Sequence, residues 1–177
     1  MKFKLLLFCL LCFYYKAISQ KEQTKEIKSV FSFVMDSIIK KQCVKGYEIL
    51  LSNDARNSDV MECIGYADTQ KEIFNKGERE LIDQGLKDTI QLHVTKRLFQ
   101  SKNVKIVDEL HDFLLNGKIK RFQYMCSFSN PIFLRSNQYC VIKYAIYMYK
   151  ATTLLLKRDG KKWVMVNEKC VITGNRN

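Results

Sequence analysis

Four cations bracket a glycine near the carboxyl end of the chain: Lys157 and Arg158 precede Asp159-Gly160, and Lys161 and Lys162 follow it. Asp-Gly between two apolar runs is a two-residue hairpin signal. With those two residues as the loop, Lys157 stands opposite Lys162 and Arg158 opposite Lys161. Like charges directly across two strands destabilise a hairpin by up to about 1 kcal/mol per pair. An anionic ligand at the tip would offset that cost, so these four residues are the candidate ligand site. The competing account is that long side chains splay into water, where screening removes most of the repulsion.

A second group with ligand-type side chains is Asp108, Glu109, His111 and Asp112. On a helix, Asp108, His111 and Asp112 share a face and could hold a metal or move a proton. The spacing is not H-E-x-x-H, no partner cluster is visible, and a solvated helix face is the simpler account. These residues therefore stand as weak metal candidates, with no catalytic residue assigned and no cofactor expected. The only other histidine, His93, continues an apolar stripe. No G-x-S-x-G elbow and no phosphate-cradling glycine loop occurs.

The cysteines depend on where the chain works. Residues 1–20 read MKFKLLLFCLLCFYYKAISQ: cations, an uncharged run from Leu5 to Tyr15, then Ala17-Ile18-Ser19 before Gln20. This order is that of a cleavable secretory signal, with cleavage between Ser19 and Gln20. Eleven helical residues rise only about 16 Å, against a hydrocarbon core of about 30 Å, too little for a stable span. Export to the periplasm or the exterior is expected, and residues 20–177 then form one domain. The leader would carry away Lys2, Lys4 and Lys16, lowering the net charge from +12 to +9. It would also carry away Cys9 and Cys12, leaving Cys43, Cys63, Cys126, Cys140 and Cys170 in surroundings where thiols can oxidise. An odd number leaves one thiol over. Cys126–Cys140 and Cys43–Cys63 are the candidate disulfides, with Cys170 left over.

The elements that must position these groups fall into two halves. Ile27, Val30, Phe31, Val34 and Ile38 repeat at helical spacing and predict a helix over 22–40 with one buried stripe. Ile82, Leu86, Ile90 and His93 predict another over 78–93, and Val107, Leu110 and Leu114 a third over 107–115. Residues 42–66 read as helix or irregular, with a turn at Ser52-Asn53-Asp54. From Lys118 onward β-branched and aromatic residues dominate, predicting strands near 119–128, 138–149, 151–158 and 161–172. The expected fold is α+β: helices over about 20–117 packed on an antiparallel β-meander of about four strands over 118–177. A cone of NTF2-like or cystatin-like type is one such arrangement. The last hairpin, apolar on both faces, should lie well inside the sheet or be covered on both sides.

Ser127-Phe128-Ser129-Asn130-Pro131-Ile132-Phe133, the strand after it, and Gly160-Lys161-Lys162-Trp163 resemble the tail of small uncharacterised secreted proteins of Bacteroidota-type bacteria. The likeness spans about 104–177. It implies export and a β-meander, and no reaction. Taken together, the residues point to a non-enzymatic binding domain with a basic surface and an anionic or protein partner, nucleic acid not being expected outside the cytoplasm. Two alternatives carry different predictions. A secreted hydrolase would gather its polar residues only in three dimensions, and an immunity-type inhibitor would neutralise a partner protein.

Overall fold

The computed structural model describes residues 20–43, 45–52, 54–55, 73–87, 92–95, 98, 103–107, 123–146 and 150–169. Helix α1 runs over 20–34, widens into one π-helical stretch at Met35–Ile39 and closes with Lys40–Gln42. The strands are β1 (Glu48–Ser52), β2 (Asp54–Ala55), β3 (Leu92–His93), β4 (Val104–Val107), β5 (Gln123–Phe128), β6 (Ile132–Leu134), β7 (Tyr139–Ile146), β8 (Lys150–Asp159) and β9 (Lys162–Lys169). Helix α2 spans Lys76–Lys87, between β2 and β3.

Among the described residues seven strands form one sheet, in the order β4-β1-β5-β7-β8-β9, with β6 also paired to β7. The fold is α+β, and the sheet is mixed. β1 lies parallel to both β4 and β5, while β5, β7, β8 and β9 pair antiparallel in succession. The antiparallel strands therefore make up part of a larger sheet, and the expectation of an all-helical amino-terminal half is corrected. β1 falls where helix or irregular chain was expected, and Ser52 and Asp54 belong to strands rather than to a turn. The physical reason is burial on both faces: Ile49, Leu50, Leu51 and Ser52 are all buried. A strand inside a parallel ladder reads as a continuous apolar run, which carries no period to distinguish it from a helix.

One face of the sheet carries the main core. The α1 stripe of Ile27, Val30, Phe31, Val34 and Ile38, joined by Met35 and Ile39, packs on Ile49, Leu51, Phe128, Ile142, Leu154 and Leu156. Phe31 stacks on Phe128 with ring centroids 4.9 Å apart. Met35, four residues after Phe31, lies on the stripe already, and the π-helical turn adds a residue to the winding that brings Ile39 round to it. At its end, Gln42 Nε2 donates to Tyr144 Oη at 3.2 Å, tying the helix to β7.

The opposite face carries a smaller cluster of Phe74, Ile82, Leu134, Val141 and Leu155, capped by α2. Asn75 and Glu78 form a reciprocal cap at the start of α2: Glu78 N–H donates to Asn75 Oδ1, and Asn75 N–H to Glu78 Oε2, each at 3.0 Å. Gly85 lets α2 approach β6, since a Cβ there would stand 2.9 Å from Ile132. α2 ends at Lys87 and His93 lies in β3, so the helix expected over 78–93 is shorter, and His93 is not part of its stripe. Val107 ends β4 rather than beginning a helix. The rest of the third expected helix lies outside the described residues.

Candidate functional site

The β8–β9 hairpin turns one residue later than its Asp-Gly signal suggests. Asp159 pairs with Lys162, Arg158 with Trp163 and Lys157 with Val164, so the loop is Gly160-Lys161. Gly160 has φ +57°, while Lys161 is not in the left-handed region. That suits a two-residue loop with glycine first, the type II′ turn. The register that places Lys157 against Lys162 and Arg158 against Lys161 is thereby corrected. The observed register avoids both like-charge pairs, puts an acid across from Lys162 and sets the Arg158 guanidinium on an aromatic ring.

The four cations divide between the two faces of the sheet. Arg158 shares the α1 face with Trp163: its guanidinium carbon lies 4.6 Å from the Trp163 ring centroid, and it forms an ion pair with Glu26 of α1. Arg158 is thus an anchor between helix and hairpin, and the tip surface loses one of its expected charges. Lys157, Lys161 and Lys162 remain exposed. Lys157 points to the α2 face, with Nζ 6.0 Å from the Tyr139 ring centroid. Under the tip, Arg158 Nε and Trp163 Nε1 are buried without a hydrogen-bond partner among the described residues.

Tyr139 also receives Arg135, whose guanidinium carbon lies 5.2 Å from its ring centroid and 5.5 Å from that of Phe74. Arg135 grips Glu78 through two bonds, Nε to Oε1 at 2.7 Å and Nη2 to Oε2 at 2.9 Å, and donates from Nη2 to the Ile73 carbonyl at 2.9 Å. These contacts hold a turn in which Arg135, Ser136 and Asn137 all have positive φ, at 51°, 51° and 64°. Each such residue is strained by about 1–2 kcal/mol. The Arg135 hydrogen bonds hold the Glu78 carboxyl below the usual carboxylate range. Lys143, half-buried on β7, has its ammonium pKa lowered by burial.

The thiols do not pair as expected. Cys126 stands opposite Ile146, whereas Cys140 stands opposite Phe133, six residues back along β7. Six residues of strand cover about 20 Å, and a disulfide needs Cα atoms within about 7 Å. Cys126–Cys140 is therefore corrected, and Cys43, Cys126 and Cys140 are free thiols. Burial pushes the Cys43 thiol up to about 11. Burial drives Cys126 and Cys140 higher still. Cys63, Cys170, Asp108, Glu109, His111 and Asp112 lie outside the described residues, as does Ser19 of the expected cleavage site. Among the described residues no group of three or more His, Cys, Asp or Glu is placed to hold a metal ion. No described helix is long and apolar enough to cross a membrane.

No family model, curated protein or solved structure matches the chain. The site is therefore read from its own geometry. Of the four cations that sequence reasoning singled out, Lys157, Lys161 and Lys162 are exposed, while Glu26, Trp163 and Arg135, which brace the surrounding turns, left no such mark. The signal available for Trp163 was its position beside the cationic loop. Glu26 lies 132 residues from its partner and left no local trace.

Proposed function

We propose that this chain is an exported, non-enzymatic binding domain over residues 20–177 that engages an anionic partner at the β8–β9 tip. The observation that carries the reading is the division of the four cations. Arg158 is spent on Glu26 and Trp163, stiffening the hairpin, while Lys157, Lys161 and Lys162 stay in water. A braced loop presenting charge loses less freedom on binding than a mobile one. The net charge of +9 that remains without the leader adds long-range attraction for any anionic surface, whether lipid headgroup, wall polymer or acidic protein. The leader and the likeness to small secreted proteins of Bacteroidota-type bacteria agree with a site of action outside the cytoplasm. An NTF2-like or cystatin-like cone is the finer architecture consistent with this role.

The test compares two triple charge reversals of equal net charge. Lys157→Glu, Lys161→Glu and Lys162→Glu together should abolish retention on a carboxylate or anionic-vesicle surface. Reversal of Lys21, Lys25 and Lys28, exposed on α1, should weaken it only modestly. Equal losses would show that net charge, rather than the tip, does the binding. The hydrolase alternative requires turnover that depends on Asp108 or His111. The immunity-type alternative is the case in which the anionic partner is a protein.

A further inference from the structure

β9 is the last strand of the sheet, and among the described residues nothing pairs with its outer edge. In an antiparallel ladder, residues alternate between turning their backbone groups toward the partner and away from it. Arg158 N–H donates to Gln138 O at 2.8 Å, on the β7 side of β8. Its cross-strand partner Trp163 therefore turns N–H and C=O away from β8, and so does Met165, two residues on. These are the groups an incoming strand would meet. The side chains beside them are unusually apolar for a water-facing edge: Val164 is 39% exposed, Met165 46% and Val166 45%. Natural edges are usually blunted by charge or irregularity. Here the charge stands at one end, at Lys161 and Lys162, and the irregularity at the other, where a bulge shifts the register opposite Leu155/Leu156. The regular edge between them runs from Lys162 to Met165, enough for about four residues of an added strand, or about 13 Å.

Resting on the reading of the tip as an anion-binding surface, we propose that the β9 edge takes up an extended acidic segment of a partner protein as an additional strand. The segment's backbone pairs with Trp163 and Met165, its apolar side chains cover Val164 and Met165, and its carboxylates meet Lys161 and Lys162. A second copy of this chain fits less well. Its edge carries the same cationic tip, and pairing confined to four residues would bring the two tips close together.

The probe is an acetylated, amidated hexapeptide of three Glu followed by three Val, which presents valines to both faces of the edge, titrated into the full chain as isolated from its cells. Trp163 is the single tryptophan and lies buried beside the docking edge. A saturable change in its emission is expected, with slowed hydrogen exchange at the Trp163 and Met165 amides. Met165→Pro removes an outward N–H without breaking a β8–β9 bond. It should weaken the peptide by about tenfold or more. The Lys-Val analogue should not bind. No exchange protection at Trp163 and Met165 in the wild-type chain overturns the proposal, even if Met165→Pro fails to fold. So does equal binding of the two peptides, and so does a concentration-dependent dimer that the peptide dissolves, since the edge then belongs to a second copy. If the peptide fails while the three-lysine reversal still abolishes retention on anionic vesicles, edge pairing is refuted and the anion-binding reading stands. If the peptide binds and that reversal leaves both unchanged, the charge argument beneath both readings falls.

Discussion

At the residue scale, pairing decides which charged and nucleophilic groups are free to act. Cys126 and Cys140 are withdrawn by burial, and Cys43 is half-buried. A thiolate is the reactive form, so at pH 8 Cys126 and Cys140 should resist a disulfide reagent until the protein unfolds. Cys43, with its pKa near 11, should react slowly and faster as pH rises toward that value. Stoichiometric labelling of Cys126 in the native protein at pH 8 would contradict this. The sign of the linkage also follows. A buried thiol raised above 9.0 keeps its proton while the unfolded chain loses its own. Stability is then fully present below pH 9 and declines as pH climbs toward 11. Glu78 works in the opposite direction. Its pKa is lowered from 4.5, so the Arg135 grip contributes above that value and is lost as pH falls through the folded-state value. Glu78→Gln should lower the urea midpoint modestly, through the charge lost from the Arg135 grip, since a glutamine oxygen can still accept the Asn75 N–H. It should also flatten the acid limb of a urea-midpoint profile below pH 4.5. An unchanged acid limb would mean that the contact is not formed in solution.

At the element scale, β5 and β6 are successive segments lying along the same side of β7, separated by Ser129-Asn130-Pro131. Phe128 pairs with Tyr144 and Ile132 with Val141, so three residues oppose two, a bulge. Ser129 repairs the ladder there: its N–H donates to the Lys143 carbonyl at 2.9 Å, and its Oγ accepts the Lys143 N–H at 2.8 Å. Ser129 is 1% exposed. Ser129→Ala should therefore orphan a buried backbone donor and cost about 1–3 kcal/mol. Chemical denaturation should show the loss, with faster amide exchange at Lys143, and a change below 0.3 kcal/mol would mean another acceptor replaces the hydroxyl. A strand ending at Phe128 was legible in the sequence. The bulge was not, because a side chain acting as a backbone acceptor leaves no periodic mark.

At the scale of the whole molecule, the reading of the leader sets the compartment. The mature chain should begin at Gln20, and intact-mass measurement of protein collected outside the cytoplasm should show the loss of residues 1–19. A chain that begins at Met1 and remains inside the cell would remove the extracytoplasmic partner from consideration. The same spectrum, taken after alkylation without reduction, should show Cys43, Cys126 and Cys140 all modified once the protein is unfolded.

Local chemistry was sufficient for α1 and for the apolar character of the carboxyl strands, because a 3.6-residue stripe and runs of β-branched residues state their own geometry. It also placed a turn beside Gly160, where only a residue without Cβ takes positive φ at little cost. Tertiary structure decided what depends on contacts distant along the chain. β1 became a strand because β4 and β5 flank it, and Arg158 left the ligand surface because Glu26 lay within reach. The hairpin register settled two residues away from the one its turn signal implied. A loop dipeptide weighs little against an opposite-charge pair, a ring under a guanidinium and the closing of a core on both sides of β8.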